Sequence, residues 1–350
     1  MPLTIVVGTS RCGSTMLSKI LGKHPEVLSL SEFWNCFMDS EGSIPDHDMS
    51  GAEFWQRITN VESSYDHLVR AGIKQDDDLG SYQSRFNYAT GVPPLCRVLA
   101  VLTGEGPDLL YDQLAPQVSA WPTRSTADHC RALFGDLAAR LGRTVIVERT
   151  GGSISYLEQL REMFPEARFV FLHRSGPDTA LSMSRYPTLR LAAIRLIAEA
   201  VGSSASGLEM FPAEVREASP EYFNGLIEPP FDKERFLAFP VPLAFFGWFW
   251  SYMTRNGTAE IRKVRRDRWV TLRYEPLLTD TRSELTALAG FMGVRADPQW
   301  LDWTCKFVVT GRSGSAAAQL HPGDLAPLRA ACAAGERAFD LVESEPAASA

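Results

Sequence analysis

The sequence predicts an α/β fold in which a parallel central sheet carries helices on both faces. Three observations predict it. Apolar runs of strand composition alternate with stretches of helical apolar spacing along the chain. The first run leads through a glycine-containing loop straight into a helix, the strand-loop-helix order of a P-loop nucleotide-binding fold. At 350 residues the chain is long enough to bury one large core, with polar insertions folded over it as lids.

Each element follows in order. Leu3–Val7 (LTIVV) reads as a short buried strand and Ser14–Leu21 as the helix after it, with Val27–Leu30 the second strand. Residues 39–122 are polar and rich in Gly, Pro and Asp, which fits a sheet poorly and reads as a substrate-covering insertion. A helix over Ser125–Leu141 is ended by Gly142, and Thr144–Glu148 (TVIVE) is the third strand. Ser155 and Glu158 have the spacing of a capping box within a helix over Ser153–Phe164, closed by Pro165. Arg168–Leu172 (RFVFL) is the fourth strand, followed by helices over Pro177–Arg185 and Leu189–Val201. A second covering insertion spans residues 202–242, followed by a helix over Leu243–Val264, the fifth strand Trp269–Arg273 and a helix over Thr281–Met292. One domain thus spans 1–343, and the Ala/Ser/Glu-rich tail 344–350 is expected to fray.

Charge and composition exclude several classes. A net charge of −7 argues against a nucleic-acid or anionic-membrane partner, since both want a basic face. Any anionic ligand must be held by local arginines. The six cysteines lie far apart with no zinc-type spacing, as expected of free thiols in a reducing cytoplasm. With the first strand starting at about residue 3, no signal or transit peptide is expected. The most apolar stretch, Val241–Met253, is shorter than the roughly 20 residues a bilayer span needs. A cytoplasmic protein without an integral membrane segment is expected; oligomeric state is not legible.

The loop Gly8-Thr9-Ser10-Arg11-Cys12-Gly13-Ser14-Thr15 has P-loop spacing, with Ser14 in place of the lysine that reaches the β and γ phosphates of a nucleoside triphosphate. Its backbone N–H groups and helix dipole favour a phosphate-like group, and Arg11 adds a bidentate cation. Taken alone, the segment is equally a glycine-rich turn. A second candidate anion site follows strand Arg168–Leu172. There Arg174 stands at the strand's end and Ser182 inside the helix beyond Pro177, although each is individually also explained as a solvated cap or a helix-surface residue. Together they demand a ligand with phosphates at both ends.

These segments resemble the sulfotransferases that use 3′-phosphoadenosine 5′-phosphosulfate (PAPS). Ser10-Arg11-Cys12-Gly13-Ser14-Thr15 is similar to that family's P-R-S-G-T-T loop, which cradles the 5′-phosphosulfate, and Arg174 to Ser182 to its 3′-phosphate motif R-[DN]-P-x-D-x-x-x-S. Gly22-Lys23-His24-Pro25-Glu26-Val27 looks like the family's H-P-x-V segment, followed by Glu32 where bacterial and tyrosylprotein-type members place a catalytic carboxylate. Glu148-Arg149-Thr150 is similar to E-K-T, with arginine for the lysine that contacts the sulfuryl group. Tyr274-Glu275-Pro276-Leu277 and the downstream Leu285, Leu288, Phe291, Met292 and Gly293 look like Y-E-x-L…L-x-x-F-L-G. Lys306 and the turn around Arg312 resemble the late basic loop that closes on the 3′-phosphate, or are a surface turn. The chain departs from the pattern at Cys12 for Ser, Arg149 for Lys, and Gly176-Pro177, which shifts the usual proline.

The resemblance implies sulfuryl transfer from PAPS to a hydroxyl of a small-molecule or glycolipid acceptor, with adenosine 3′,5′-bisphosphate (PAP) as product and no metal. It assigns Glu32 as general base and Arg149 to the sulfonate. It assigns Arg11, Cys12, Gly13, Ser14, Thr15, Arg174, Ser182, Tyr274 and Arg312 to the donor, with a core role for Tyr274 as the alternative. Phe33, Trp34 and Phe37 are expected to lower the dielectric around Glu32, whose own residue type and position equally suit a solvated surface glutamate. His47, His67 and His129 are rival bases outside any motif; His24 and His173 are expected to be structural, and Asp178 to complement a helix dipole. Trp55, Tyr82, Phe86, Phe231, Phe236 and Phe239 suggest an apolar or ring-bearing acceptor, or ordinary packing. Two other readings compete. A small-molecule kinase using ATP and Mg²⁺ needs a lysine that Lys19 and Lys23, deep in the first helix, supply poorly. A non-catalytic nucleotide-binding protein would bind donor without transfer.

Overall fold

In the computed structural model a five-stranded, wholly parallel sheet forms the centre of the molecule, with helices on both faces. The structure describes all residues except 38–42, 62–63, 74–83, 105, 204–206, 310, 312 and 346–350. The strands are β1 Leu3–Val7, β2 Val27–Ser31, β5 Val145–Arg149, β6 Arg168–His173 and β7 Trp269–Arg273, in the order β2-β5-β1-β6-β7. Two short strands, β3 Asp48–Met49 and β4 Arg124–Ser125, pair antiparallel outside the sheet.

All five strands match the predicted runs; β2, β5 and β6 each extend one residue further at the carboxyl end, and β5 starts one residue later. Those extra residues, Ser31, Arg149 and His173, are all buried. Alternation sorts the side chains into two layers, as strands with period 2 must. Ile5, Val7, Phe169 and Phe171 enter one apolar cluster, completed by helices that include Thr126–Arg140, Leu243–Ile261 and Pro322–Glu343. Val6, Val147, Val170 and Leu172 enter the other, covered by helices Ser14–Gly22, Thr281–Met292 and Pro298–Phe307. Each fully buried Phe or Leu contributes on the order of 2 kcal/mol.

Two local expectations are corrected. The helix expected over Ser153–Phe164 opens as a 3-10 turn, Ser153–Tyr156, and becomes α-helical at Leu157–Met163. The Ser155 N–H bonds the Gly152 carbonyl, and no side-chain cap opens the α-helix, so the Ser155/Glu158 capping box does not form. Further along, Asp178 does more than complement a dipole: its buried carboxylate accepts from the Gly314 and Ala316 N–H groups at 2.7 and 2.8 Å, which ties a late loop to helix Gly176–Ser184.

Residues 39–122 hold the helices Gly51–Thr59, Ser64–Arg70, Pro94–Thr103 and Asp108–Ser119. Phe54, Ile58, Leu95, Leu99, Leu114 and Val118 from this stretch are buried in the same cluster as Ile5 and Phe171. Of the aromatic residues singled out, Phe236 and Phe239 are buried, Trp55, Phe86 and Phe231 are half-buried, and Tyr82 lies outside the described residues. No helix among the described residues is long and apolar enough to cross a membrane.

Candidate active site

β1 stands between β5 and β6, and the chain leaves β1 towards one side of the sheet and β6 towards the other. Such a switch point opens a crevice at the carboxyl ends of the strands. The loop 8–13 lies there. Ser10 and Arg11 adopt φ of 65° and 54°, and Gly13 a φ of 94°. Left-handed residues make this loop a tight turn, and turns of this kind form concavities that suit an anion. Helix Ser14–Gly22 starts directly after it, and Gly13 provides no side-chain cap, so the first-turn N–H groups have no acceptor within the helix. Nothing larger than hydrogen fits on Gly13. A Cβ there would come within 2.2 Å of Tyr274 Cδ2.

Cys12 turns its side chain into the core beside Gly8, and burial pushes its thiol up to about 11. The departure from serine therefore falls on a core side chain. Ser14 is buried and Thr15 exposed.

The second anion motif meets the first directly. Arg11 Nε donates to Ser182 Oγ at 3.1 Å, and Arg11 stacks over Tyr186 at 4.6 Å. Arg174 Nη1 donates to the Arg11 carbonyl at 3.3 Å. The Arg174 guanidinium lies 4.8 Å over the Tyr274 ring, with Asp178 Oδ2 3.8 Å from its Nη2. Residues 163 and 171 positions apart thus brace one loop. Tyr274 itself is core, wedged between Gly13 and Arg174.

On the other flank, β2 runs out beside β5 with Ser31 opposite Arg149. The next residue, Glu32, takes a left-handed φ of 63° while its N–H bonds the Arg149 carbonyl at 2.8 Å. Non-glycine residues in this region store strain of about 1–3 kcal/mol and cluster at functional sites. Glu32 Oε1 pairs with Arg149 Nη1, and Oε2 accepts from Asn35 Nδ2 and the Gly151 N–H, each at 2.9 Å. Arg149 is buried, gives Nη2 to Ser31 Oγ, and its Nε has no partner among the described residues. Glu32 keeps 36% of its side chain exposed. A Cβ on Gly151 would sit 3.3 Å from Ser10 Oγ and 3.5 Å from Glu32 Oε1, so the loop and the carboxylate face each other across the bare Gly151 backbone.

Phe33, Trp34 and Phe37 are buried, Phe33 against Phe134, Trp34 against Phe164 and Phe37 against Phe54, while the Glu32 carboxylate stands among nitrogen donors. Asn35, Ser31 and Gly151 were not foreseen as site residues. The signal available for them was adjacency to Glu32 and Arg149.

Of the rival bases, His129 is buried with Nε2 2.8 Å from the Met49 carbonyl and its ring stacked on Phe54, while His47 is exposed and His67 half-buried. His24 is structural as expected, with Nε2 3.0 Å from the Arg295 carbonyl and Nδ1 accepting from the Glu26 N–H. His173 stacks on Phe339 at 3.6 Å, and burial drives it down to about 3. Lys306 is exposed, and Arg312 lies outside the described residues. Among the described residues, no group of three His, Cys, Asp or Glu side chains is placed to hold a metal ion.

Comparison with known proteins gives one family. The sequence profile of the sulfotransferase family matches residues 2–198, which contain both anion motifs, Glu32 and Arg149. No curated protein matches the chain. Among solved structures, similar chains include the sulfotransferase domain of the Synechococcus PCC 7002 olefin synthase, at 17% identity and TM-score 0.46, covering 99% of this chain and 96% of that one. The sulfotransferase domain from the curacin biosynthetic pathway is 13% identical at TM-score 0.47, covering 94% and 97%. A sulfotransferase from Alicyclobacillus acidocaldarius is 13% identical at TM-score 0.43, covering 99% and 97%.

Proposed function

This chain belongs to the sulfotransferase family, and on that premise we propose that it moves a sulfuryl group from PAPS to the hydroxyl of a small-molecule acceptor. The observation that carries the reading is the contact between the two anion motifs, Arg11 to Ser182 and Arg174 to the Arg11 carbonyl. Two arginines and a hydroxyl gathered in this way at one strand-end crevice suit a ligand that carries more than one anionic group.

The donor fits this chain's residues. The open N–H groups after Gly13 and the Arg11 guanidinium would hold its 5′ end, while Arg174 and Ser182 would hold its 3′-phosphate. When bound, PAPS supplies the sulfuryl group and a phosphate leaving group. Loop amides and Arg11 would stabilise negative charge gathering on that phosphate, an electrostatic contribution worth several kcal/mol when the donors are pre-positioned. Arg149, already held by Ser31 and Glu32, would supply the cation for the sulfonate.

Glu32 is the proposed general base. Its carboxylate has an exposed portion, is held by three donors, and stands across Gly151 from the loop, so that an acceptor hydroxyl between them could pass its proton to Oε1 or Oε2. The cytoplasm and a glycolipid or ring-bearing acceptor remain part of this proposal, as does the covering of the crevice by segments within 39–122 and 202–242.

The test is transfer of radiolabelled sulfate from PAPS across an acceptor panel, with no metal added. Transfer is expected. Glu32→Gln should lower kcat by about 10²–10⁴-fold, the usual contribution of a positioned base, while PAP affinity changes less than threefold. Retained turnover in that variant would remove Glu32 from the role, and absence of transfer by the unsubstituted chain with every acceptor class would overturn the reading. Tight ATP·Mg²⁺ binding indifferent to a 3′-phosphate would instead support a kinase.

A further inference from the structure

Glu148 lies one residue before Arg149 on β5, and its side chain is fully buried. An isolated ionised carboxylate is among the most costly groups to bury, so a buried one needs either a cation or a proton. Arg149 spends its two terminal nitrogens on Glu32 and Ser31. Glu148 instead makes a compact set of neutral hydrogen bonds. Its Oε1 accepts from the Phe33 N–H at 3.2 Å and from Thr150 Oγ1 at 2.5 Å, while Oε2 has no partner among the described residues. Thr150 Oγ1 in turn accepts from the Trp34 N–H at 3.1 Å.

Both backbone donors held in this way, Phe33 N–H and Trp34 N–H, directly follow Glu32. The Glu32 N–H is itself bonded to the Arg149 carbonyl. Three consecutive amides of the turn are therefore pinned to the three consecutive residues Glu148, Arg149 and Thr150. Glu32 needs such restraint, since its φ of 63° is unfavourable for a residue with a side chain. Without it the turn can relax to negative φ and swing the carboxylate away from Arg149 and Gly151.

We propose that Glu148 is a positioning residue: its buried carboxyl, acting through Phe33 N–H and the Thr150 hydroxyl, locks the strained turn that aims Glu32 at the acceptor. This assignment rests on the proposed role of Glu32 as base. Burial pushes the Glu148 carboxyl up to about 8, against the opposing effects of Thr150 and Arg149. A neutral acid keeps the Arg149 charge for Glu32 and for the incoming sulfonate, and Oε2 is the oxygen left to carry the proton.

The experiment compares Glu148→Gln, Glu148→Ala and Thr150→Val with the unsubstituted chain for sulfate transfer from PAPS, PAP affinity by calorimetry and thermal stability. Glu148→Gln keeps a neutral acceptor at Oε1 and should hold kcat within about threefold. Glu148→Ala should lower kcat at least tenfold while PAP affinity and the KM for PAPS stay within threefold. Thr150→Val, a near-isosteric change, should lower kcat at least fivefold with PAP binding intact, and it decides the matter if Glu148→Ala does not fold. If folded Glu148→Ala or Thr150→Val turns over at the unsubstituted rate, or if Glu148→Gln is as slow as Glu148→Ala, the positioning role is overturned while Glu32 as base stands. If the unsubstituted chain transfers no sulfate, the underlying reading fails first and takes this assignment with it.

Discussion

Gly13 illustrates how far a single residue constrains this site. It must adopt a φ of 94°, and it must also leave room for the Tyr274 ring that supports Arg174. Gly13→Ala therefore meets both left-handed strain and overpacking, which together cost about 2–5 kcal/mol. Denaturant unfolding should show that loss, together with weakened PAP binding; a loss below about 1 kcal/mol would contradict the packing described. The loop's spacing made Gly13 legible from sequence. The partner that forbids a side chain there was not, because Tyr274 lies far along the chain and only the fold brings its ring against Gly13. Cys12 shows the converse: sequence marks it as a departure from serine, and only burial reveals that its side chain belongs to the core.

At the scale of elements, most of the frame was legible because the strands are short, apolar and separated by helices of clear period. The five sheet strands agree with the predicted runs to within a residue at either end. What periodicity could not show is how strand ends are used. Extending β5 by one residue carries Arg149 into the ladder opposite Ser31, which lets the turn at Glu32 fold across the β5 end and hang from Glu148, Arg149 and Thr150. Glu148 was readable only as part of a motif, since the amide it holds lies 115 residues away. The capping box at Ser155 and Glu158 failed for a different reason. The chain leaving β5 descends first through a 3-10 turn, and that geometry takes Ser155 out of the cap position. Similarly, Asp178 has the residue type expected for a helix start, and its bonds to the Gly314 and Ala316 amides are purely a matter of tertiary placement.

At the scale of the molecule, two buried titratable groups set opposing pH dependences. His173 is held near 3 in the folded state by burial and the nearby Arg273, against its ordinary 6.5. The unfolded chain therefore binds the extra proton between about 3 and 6.5, and stability rises with pH across that window. Glu148 is raised to about 8 from an ordinary 4.5, so the folded chain binds the extra proton between those values and stability falls as pH rises. Each slope is about 1.4 kcal/mol per pH unit at most. Their sum climbs from pH 3 to 4.5, is level to about 6.5, and declines towards 8. Urea unfolding of Glu148→Gln should remove the decline on the alkaline side while leaving the acid limb in place; an unchanged alkaline limb would show that Glu148 ionises freely in the fold.

The whole account depends on the crevice gripping a ligand by two anionic ends, which requires residues from the loop after β1, the segment after β6 and the helix that follows to act together. The most direct measurement is calorimetric binding of PAP and of adenosine 5′-monophosphate to the unsubstituted chain, Arg174→Ala and Ser182→Ala. The unsubstituted chain should bind PAP at least tenfold more tightly than the 5′-monophosphate, and both variants should lose most of that preference. Equal affinity for the two nucleotides, or a preference untouched by either substitution, would contradict the two-ended grip.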